Sequence, residues 1–100
     1  MKIDPRRLQH TFSNHAPNFG VSGNWNTVNA TLLEQAIQKH VTSPAVQPIP
    51  GTYRGTIPVT HYYDPATGLN VMVDAADEFV GGWKLDPVQI MNLFATGNIQ

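Results

Sequence analysis

The stretch from Tyr53 to Leu85, YRGTIPVTHYYDPATGLNVMVDAADEFVGGWKL, constrains this chain most. Short runs of β-branched and aromatic residues recur in it, and each run stops at Gly, Pro, Asp or Asn. Strands are expected around Thr52–Gly55, at about Val59–Tyr63, at Leu69–Val73 and at Phe79–Lys84. Turns fall at Asp64–Gly68 and Asp74–Glu78. In the third strand Leu69, Val71 and Val73 share one face. Strands so short, joined so tightly, pair antiparallel with their neighbours.

Helical patterns flank this sheet. Asp4-Pro5 reads as an N-cap followed by proline at the first helical position. Leu8, Phe12, His15, Ala16 and Phe19 then form a stripe that ends near Pro17. Gly20–Asn29 reads as a loop anchored by Trp25. Thr31 with Glu34 makes a capping box, so a second helix is expected from there, with Leu32, Leu33, Ala36, Ile37 and Val41 on its stripe. Ser43–Gly51 holds three prolines and reads as a loop or an irregular edge. Asp86-Pro87 starts a closing helix whose expected buried stripe is Val88, Met91 and Phe94 or Ala95, with Gly97 as its stop. The order defines an α+β class: N-terminal helices packed on a twisted antiparallel sheet, with a short C-terminal helix.

At 100 residues the chain is expected to form a single domain spanning 1–100. Its net charge of -1 argues against a general nucleic-acid binder, yet leaves room for a small enzyme that gathers a few cations in one cleft. There is no cysteine, hence no disulfide and no thiolate metal site. No run is apolar enough to span a bilayer, and the start, MKIDPRRLQH, lacks the apolar core of a signal peptide.

The chemistry-bearing side chains are few. None of His10, His15, His40 and His61 has the i, i+4 spacing of a helical zinc site, so no metal site and no cofactor are expected. Asp74, Asp77 and Glu78 gather in a turn, where acidic residues are common for local reasons. Histidine remains as the acid–base candidate, since its pKa near neutrality lets it take and give a proton. Cleaving RNA by internal attack needs such a group, a cation to offset charge on phosphorus, and an aromatic to hold a splayed base. His15, Arg54, Trp83 and Lys84 supply these types. Each also has a plain structural reading. His15 on a helix stripe suits a packed histidine, and Trp83, two residues past Gly81 and four past Phe79, suits the core. Thr60 and His61 suit one outward and one inward strand position.

Three segments taken in order favour the chemical reading. FSNHAPNFGVSGNWN, GTYRGTIPVTHYYDPATGLNVMVD and FVGGWKLDPVQIMNL resemble the colicin D-type tRNA nucleases, whose relatives include C-terminal toxins of contact-dependent growth inhibition systems. The resemblance runs from about Leu8 to Gly97. It implies a barnase/EndoU/colicin/RelE-like fold and a metal-independent endoribonuclease that cuts tRNA, typically in the anticodon loop. The expected ends are a 2′,3′-cyclic phosphate and a 5′-hydroxyl. The expected partners are tRNA, a cognate immunity protein and, in some systems, a host activating factor. The setting it implies is the C-terminal part of a larger secreted or surface-delivered toxin, acting in the target-cell cytoplasm.

The same resemblance places roles on residues. His15, in the F-x-x-H-A pattern, is the general acid/base. Trp83, in G-W-K-L, lies near the scissile phosphate. Arg54 and Thr60 stabilise charge. Tyr53, His61, Lys84 and Asn14 contact substrate. Two positions depart from the pattern: Asn14 stands where relatives often have lysine, and Gly81 where colicin D has serine. Both changes remove phosphate-touching groups, so the alternative is a weak or silent relative that binds tRNA or a protein partner without cutting.

Overall fold

The computed structural model describes residues 1–100. Helix α1 (Pro5–His15) starts at Asp4, whose carboxylate accepts from the Arg6 amide at 2.8 Å. It buries Leu8, Thr11 and Phe12. Pro17 has no N–H to continue the ladder, so the chain tightens into a 3₁₀ turn, Ala16–Phe19, closed by Gly20 in the left-handed region. Trp25 anchors the following loop edge-on to Phe12, ring centroids 5.3 Å apart.

Helix α2 (Thr27–Thr42) begins a turn earlier than expected. Its cap is Asn26, whose side chain accepts from the Asn29 amide. Thr31 is inside the helix, and its hydroxyl donates back to the Thr27 carbonyl. Asn26 and Thr31 are both competent caps by composition; the earlier start adds a turn of backbone hydrogen bonds. Leu33, Ile37 and His40 are buried, while Leu32 faces solvent.

The segment read as a loop or an irregular edge supplies most of strand β1 (Gln47–Tyr53), whose last two residues fall in the strand expected around Thr52–Gly55. It pairs antiparallel with β2 (Ile57–Tyr63). Pro48 and Pro50 fit because the missing N–H groups fall on the side away from β2. Thr52 and Arg54, of the same parity, send their amides that way to the Gly97 and Ile99 carbonyls. Alongside Pro48 and Pro50 no strand needs a donor. Strands β3 (Leu69–Asp74) and β4 (Phe79–Lys84) extend the antiparallel ladder, giving the order β4-β3-β2-β1-β5. The last strand, β5 (Asn98–Ile99), is parallel to β1, so the sheet is mixed at that edge.

The register slips between Met72 and Val73: Val73 faces Phe79 but Met72 faces Gly81. This bulge around Val80 breaks the alternation that would set Phe79 and Trp83 on one face. Phe79 joins Leu8, Phe12, Leu33, Ile37, Val71 and Val73 beneath α1 and α2. Trp83 packs instead against the opposite core of Val59, Tyr63, Met72, Leu85, Leu93 and Ile99.

That second core lies under α3 (Pro87–Thr96), which has a full capping box between Asp86 and Gln89 and ends at Gly97, φ 74°. Its buried side is Leu93 with Ile90, not the expected stripe: Val88, Met91 and Phe94 are about 60% exposed, at 60%, 62% and 59%. The helix is apolar around most of its girth, so periodicity offered two stripes and packing selected the other.

The sheet curls around this second core. In register Trp83 on β4 lines up with Gln47 on β1, three strand spacings or about 14 Å away, and Tyr53 lies about 20 Å further along β1, so a flat sheet would hold the two about 24 Å apart. Their ring centroids are 6.1 Å apart.

Candidate active site

The curl assembles a row of side chains from distant parts of the sequence. His15, half-buried at the C-terminal end of α1, stacks on Trp83 with centroids 5.4 Å apart and planes at 28°. Tyr53 and Trp83 meet edge to face, with their ring planes at 62°. The Arg54 guanidinium lies 5.0 Å from the centre of the Tyr53 ring, within cation–π range. Arg54 holds φ 54° at the β1–β2 turn, a left-handed conformation uncommon outside glycine, and its amide is tied to the Ile99 carbonyl at 2.7 Å. The row therefore sets an imidazole at one end, a guanidinium at the other and two aromatic rings between.

Partial burial lowers the His15 pKa, because desolvation disfavours its charged form, and the positive charge of His10 lowers it further. At neutral pH His15 is thus an imidazole free to accept a proton.

Two residues that sequence reasoning missed hold Trp83 and its strand. The Gln89 side-chain oxygen accepts from the Trp83 indole N–H at 3.3 Å and from the Asp86 amide at 3.0 Å. One side chain thus caps α3 and fixes the indole. Asp86-Pro87 marked the helix start in the sequence; nothing local showed the reach of Gln89 to Trp83. Asn18, in the 3₁₀ turn after His15, accepts from the Lys84 amide at 2.8 Å and pins β4 to the end of α1.

The remaining candidates fall elsewhere. Asn14 is exposed beside His15 and donates its amide to the His10 carbonyl at 2.9 Å. Lys84 is exposed, and as the register partner of Leu69 it stands on the α2 side of the sheet. Thr60 does not join the row. It pairs with Val73, on the sheet face opposite Trp83, because adjacent strand residues point to opposite faces. A direct role for Thr60 beside His15 and Trp83 is therefore corrected.

His61 is corrected as well. It is fully buried and does not reach the surface to touch substrate. Its Nε2–H donates to the Gly97 carbonyl at 2.8 Å and the Thr52 carbonyl at 3.2 Å, and its Nδ1 accepts from the Asn70 amide at 3.1 Å. Two carbonyl acceptors require the proton on Nε2, so the ring is the neutral tautomer. His61 joins β1, β2, β3 and the end of α3 beneath the row. Asn70, the register partner of Trp83, keeps one buried oxygen without a partner.

Burial lowers the His61 pKa, partly offset by the two carbonyls that favour its charged form. A histidine with a depressed folded pKa contributes its full stability above the unfolded value of 6.5 and loses it as pH falls through the folded value. Stability to denaturant is therefore expected to decline below pH 6.5, and the decline to shrink in His61→Asn. Urea titrations of both proteins across that range check this.

No group of three His, Asp or Glu side chains is arranged to hold a metal ion. No helix is long and apolar enough to cross a membrane.

An α+β domain thus sets a histidine at a helix end, stacked on a strand tryptophan, where it can take up a proton. Comparison with known proteins makes the class specific. The family model for Colicin D matches residues 7–93, and the chain belongs to that family. A solved structure described as a ribonuclease from Escherichia coli complexed with its inhibitor protein is similar to this chain at 28% identity. It superposes with a TM-score of 0.79, over 92% of this chain and 99% of that one. No curated protein matches it by sequence.

Proposed function

We propose that residues 1–100 form a single toxin nuclease domain, an endoribonuclease that cleaves tRNA in the anticodon loop and is neutralised by a cognate immunity protein. The observation that carries the reading is the His15–Trp83 stack, in a chain of the Colicin D family whose solved neighbour is a ribonuclease held by its inhibitor. In this reading the domain is the C-terminal part of a larger delivered toxin and acts in the target-cell cytoplasm, with or without a host activating factor.

The chemistry follows from the row. His15, neutral at physiological pH, takes the proton from a ribose 2′-hydroxyl as that oxygen attacks the adjacent phosphorus. The P–O5′ bond breaks, the departing 5′-oxygen takes a proton from solvent, and the imidazolium of His15 returns its proton to solvent, so the base form is restored. The ends are a 2′,3′-cyclic phosphate and a 5′-hydroxyl, with no water consumed. The Arg54 guanidinium offsets the charge gathering on the phosphoryl oxygens. The half-buried rings of Tyr53 and Trp83 take a base turned out of its stack. No step is routed through a metal.

Asn14 and Gly81 favour a second reading, a silent relative that binds tRNA or a protein partner, because neither offers a cation or hydroxyl to phosphate and the Asn14 amide is engaged by its own helix. Expression in cells without the partner separates the two. Growth arrest, with tRNA fragments whose 5′ ends map to one loop, is expected of the nuclease. Unaffected growth with intact tRNA would support the silent module.

A further inference from the structure

A groove on the other face of the sheet has no part in the chemistry above, and its link to the row is Asn18. It is lined by Asn18, Phe19, Lys39, His40, Ser43 and Leu69, between the 3₁₀ turn, the C-terminal end of α2 and the start of β3. Asn18 belongs to both places, since the residue whose amide it holds, Lys84, directly follows Trp83. Lys84 is also the cross-strand partner of Leu69, so its side chain rises on the groove's face of the sheet. The groove therefore has one exposed ammonium group in its lining, Lys39, and a second, Lys84, on the same sheet face beside its Leu69 wall.

The lining contains no carboxylate. Asp64, whose amide is bonded to the Leu69 carbonyl, directs a side-chain oxygen into its own turn, to the Ala66 amide. Asp74, Asp77 and Glu78 lie at the opposite end of β3 and β4. His40 donates Nε2–H to the Tyr62 carbonyl at 2.8 Å, which fixes its ring in the groove wall. A chain of net charge -1 thus sets Lys39 and Lys84 together on a face whose groove holds no carboxylate.

We propose that this groove is a subsite for the sugar–phosphate backbone of the RNA strand as it leaves the reacting phosphodiester. The ligand class is a single-stranded polyphosphodiester, bound by charge and by Asn and Ser side chains rather than by base identity. This rests on the ribonuclease reading, and it explains how an acidic domain holds a polyanion: affinity comes from a local track, not from net charge.

The test uses the full chain carrying His15→Ala, so that RNA is bound without being cut. Binding of a long single-stranded RNA and of a dinucleotide is measured against salt, with Lys39 native, as Lys39→Gln and as Lys39→Glu. Lys39 is exposed, so both variants fold. The long RNA is expected to bind more weakly to each variant, most weakly to Lys39→Glu. The slope of log affinity against log salt falls by about 0.7 for the lost contact. The dinucleotide, too short to reach the groove, is expected to bind all three alike. Unchanged affinity and slope for the long RNA in Lys39→Glu, in a protein whose native form does cleave RNA, would overturn the groove alone. A native protein that neither binds nor cleaves RNA would overturn the ribonuclease reading and the groove with it.

Discussion

Replacing His15 with alanine is expected to slow RNA cleavage by about 10²–10⁴-fold, the usual contribution of a positioned acid–base group. The fold should survive, because His15 is only half-buried and its lost stack on Trp83 is worth about 0.5–1.5 kcal/mol. Circular dichroism and thermal unfolding check that the variant is folded while its rate has collapsed. The rate of the native protein should fall on its acid side below pH 6.5. Burial and the neighbouring His10 hold the His15 pKa under that value, so the imidazole stays competent as a base into mildly acidic solution. A variant that is folded and cleaves at the native rate would remove His15 from the mechanism.

The second large effect is on stability and arises where the chain closes on itself. Gly51 on β1 packs against Gly97, the left-handed residue that ends α3. A Cβ at Gly51 would sit 2.0 Å from the Gly97 carbonyl oxygen and 2.8 Å from its carbonyl carbon, and both are backbone atoms with no rotamer to escape into. That same oxygen accepts from Thr52 and from buried His61, so moving it breaks the join between β1, β5 and the His61 network. Gly51→Ala is expected to cost about 3 kcal/mol or more, a large share of the 5–15 kcal/mol of a typical domain. The midpoint of thermal unfolding should drop by about 10 °C or more. Gly20, where a Cβ would meet nothing within 4 Å, serves as the comparison: Gly20→Ala pays only for its left-handed backbone.

Much of this architecture was legible in the residues. Asp4-Pro5, Asp86-Pro87 and Gly97 mark helix ends by local backbone chemistry, which does not depend on the rest of the fold, and strands β2, β3 and β4 fall where alternation and turns put them. What was hidden depends on partners far away in sequence. Pro48 and Pro50 disguised β1, because a proline is harmless in a strand only if its nitrogen faces an unpaired side, and that side is defined by β5 some fifty residues on. The bulge at Val80 cannot be read from FVGGWK alone, yet it decides that Trp83 leaves the face of Phe79 and meets His15. His61 looked equally suited to surface and interior, since a strand offers each residue one face or the other. Only the Gly97 and Thr52 carbonyls, placed by the closing helix and β1, make it a core residue. The family motifs pointed to His15 and Trp83. The curl that brings Tyr53 and Arg54 to them, and the Gln89 side chain that holds the indole, are tertiary facts.

The central claim is that this domain cuts tRNA through His15 by internal attack. Purified protein, freed of any inhibitor and supplied with excess EDTA, would be incubated with total tRNA, and both ends of the fragments identified chemically. The expected result is cleavage at one loop position, leaving a 2′,3′-cyclic phosphate and a 5′-hydroxyl, with the same fragments forming about 10²–10⁴-fold more slowly from His15→Ala. Fragments bearing 5′-phosphates, cleavage abolished by EDTA, or equal cutting by His15→Ala would contradict it.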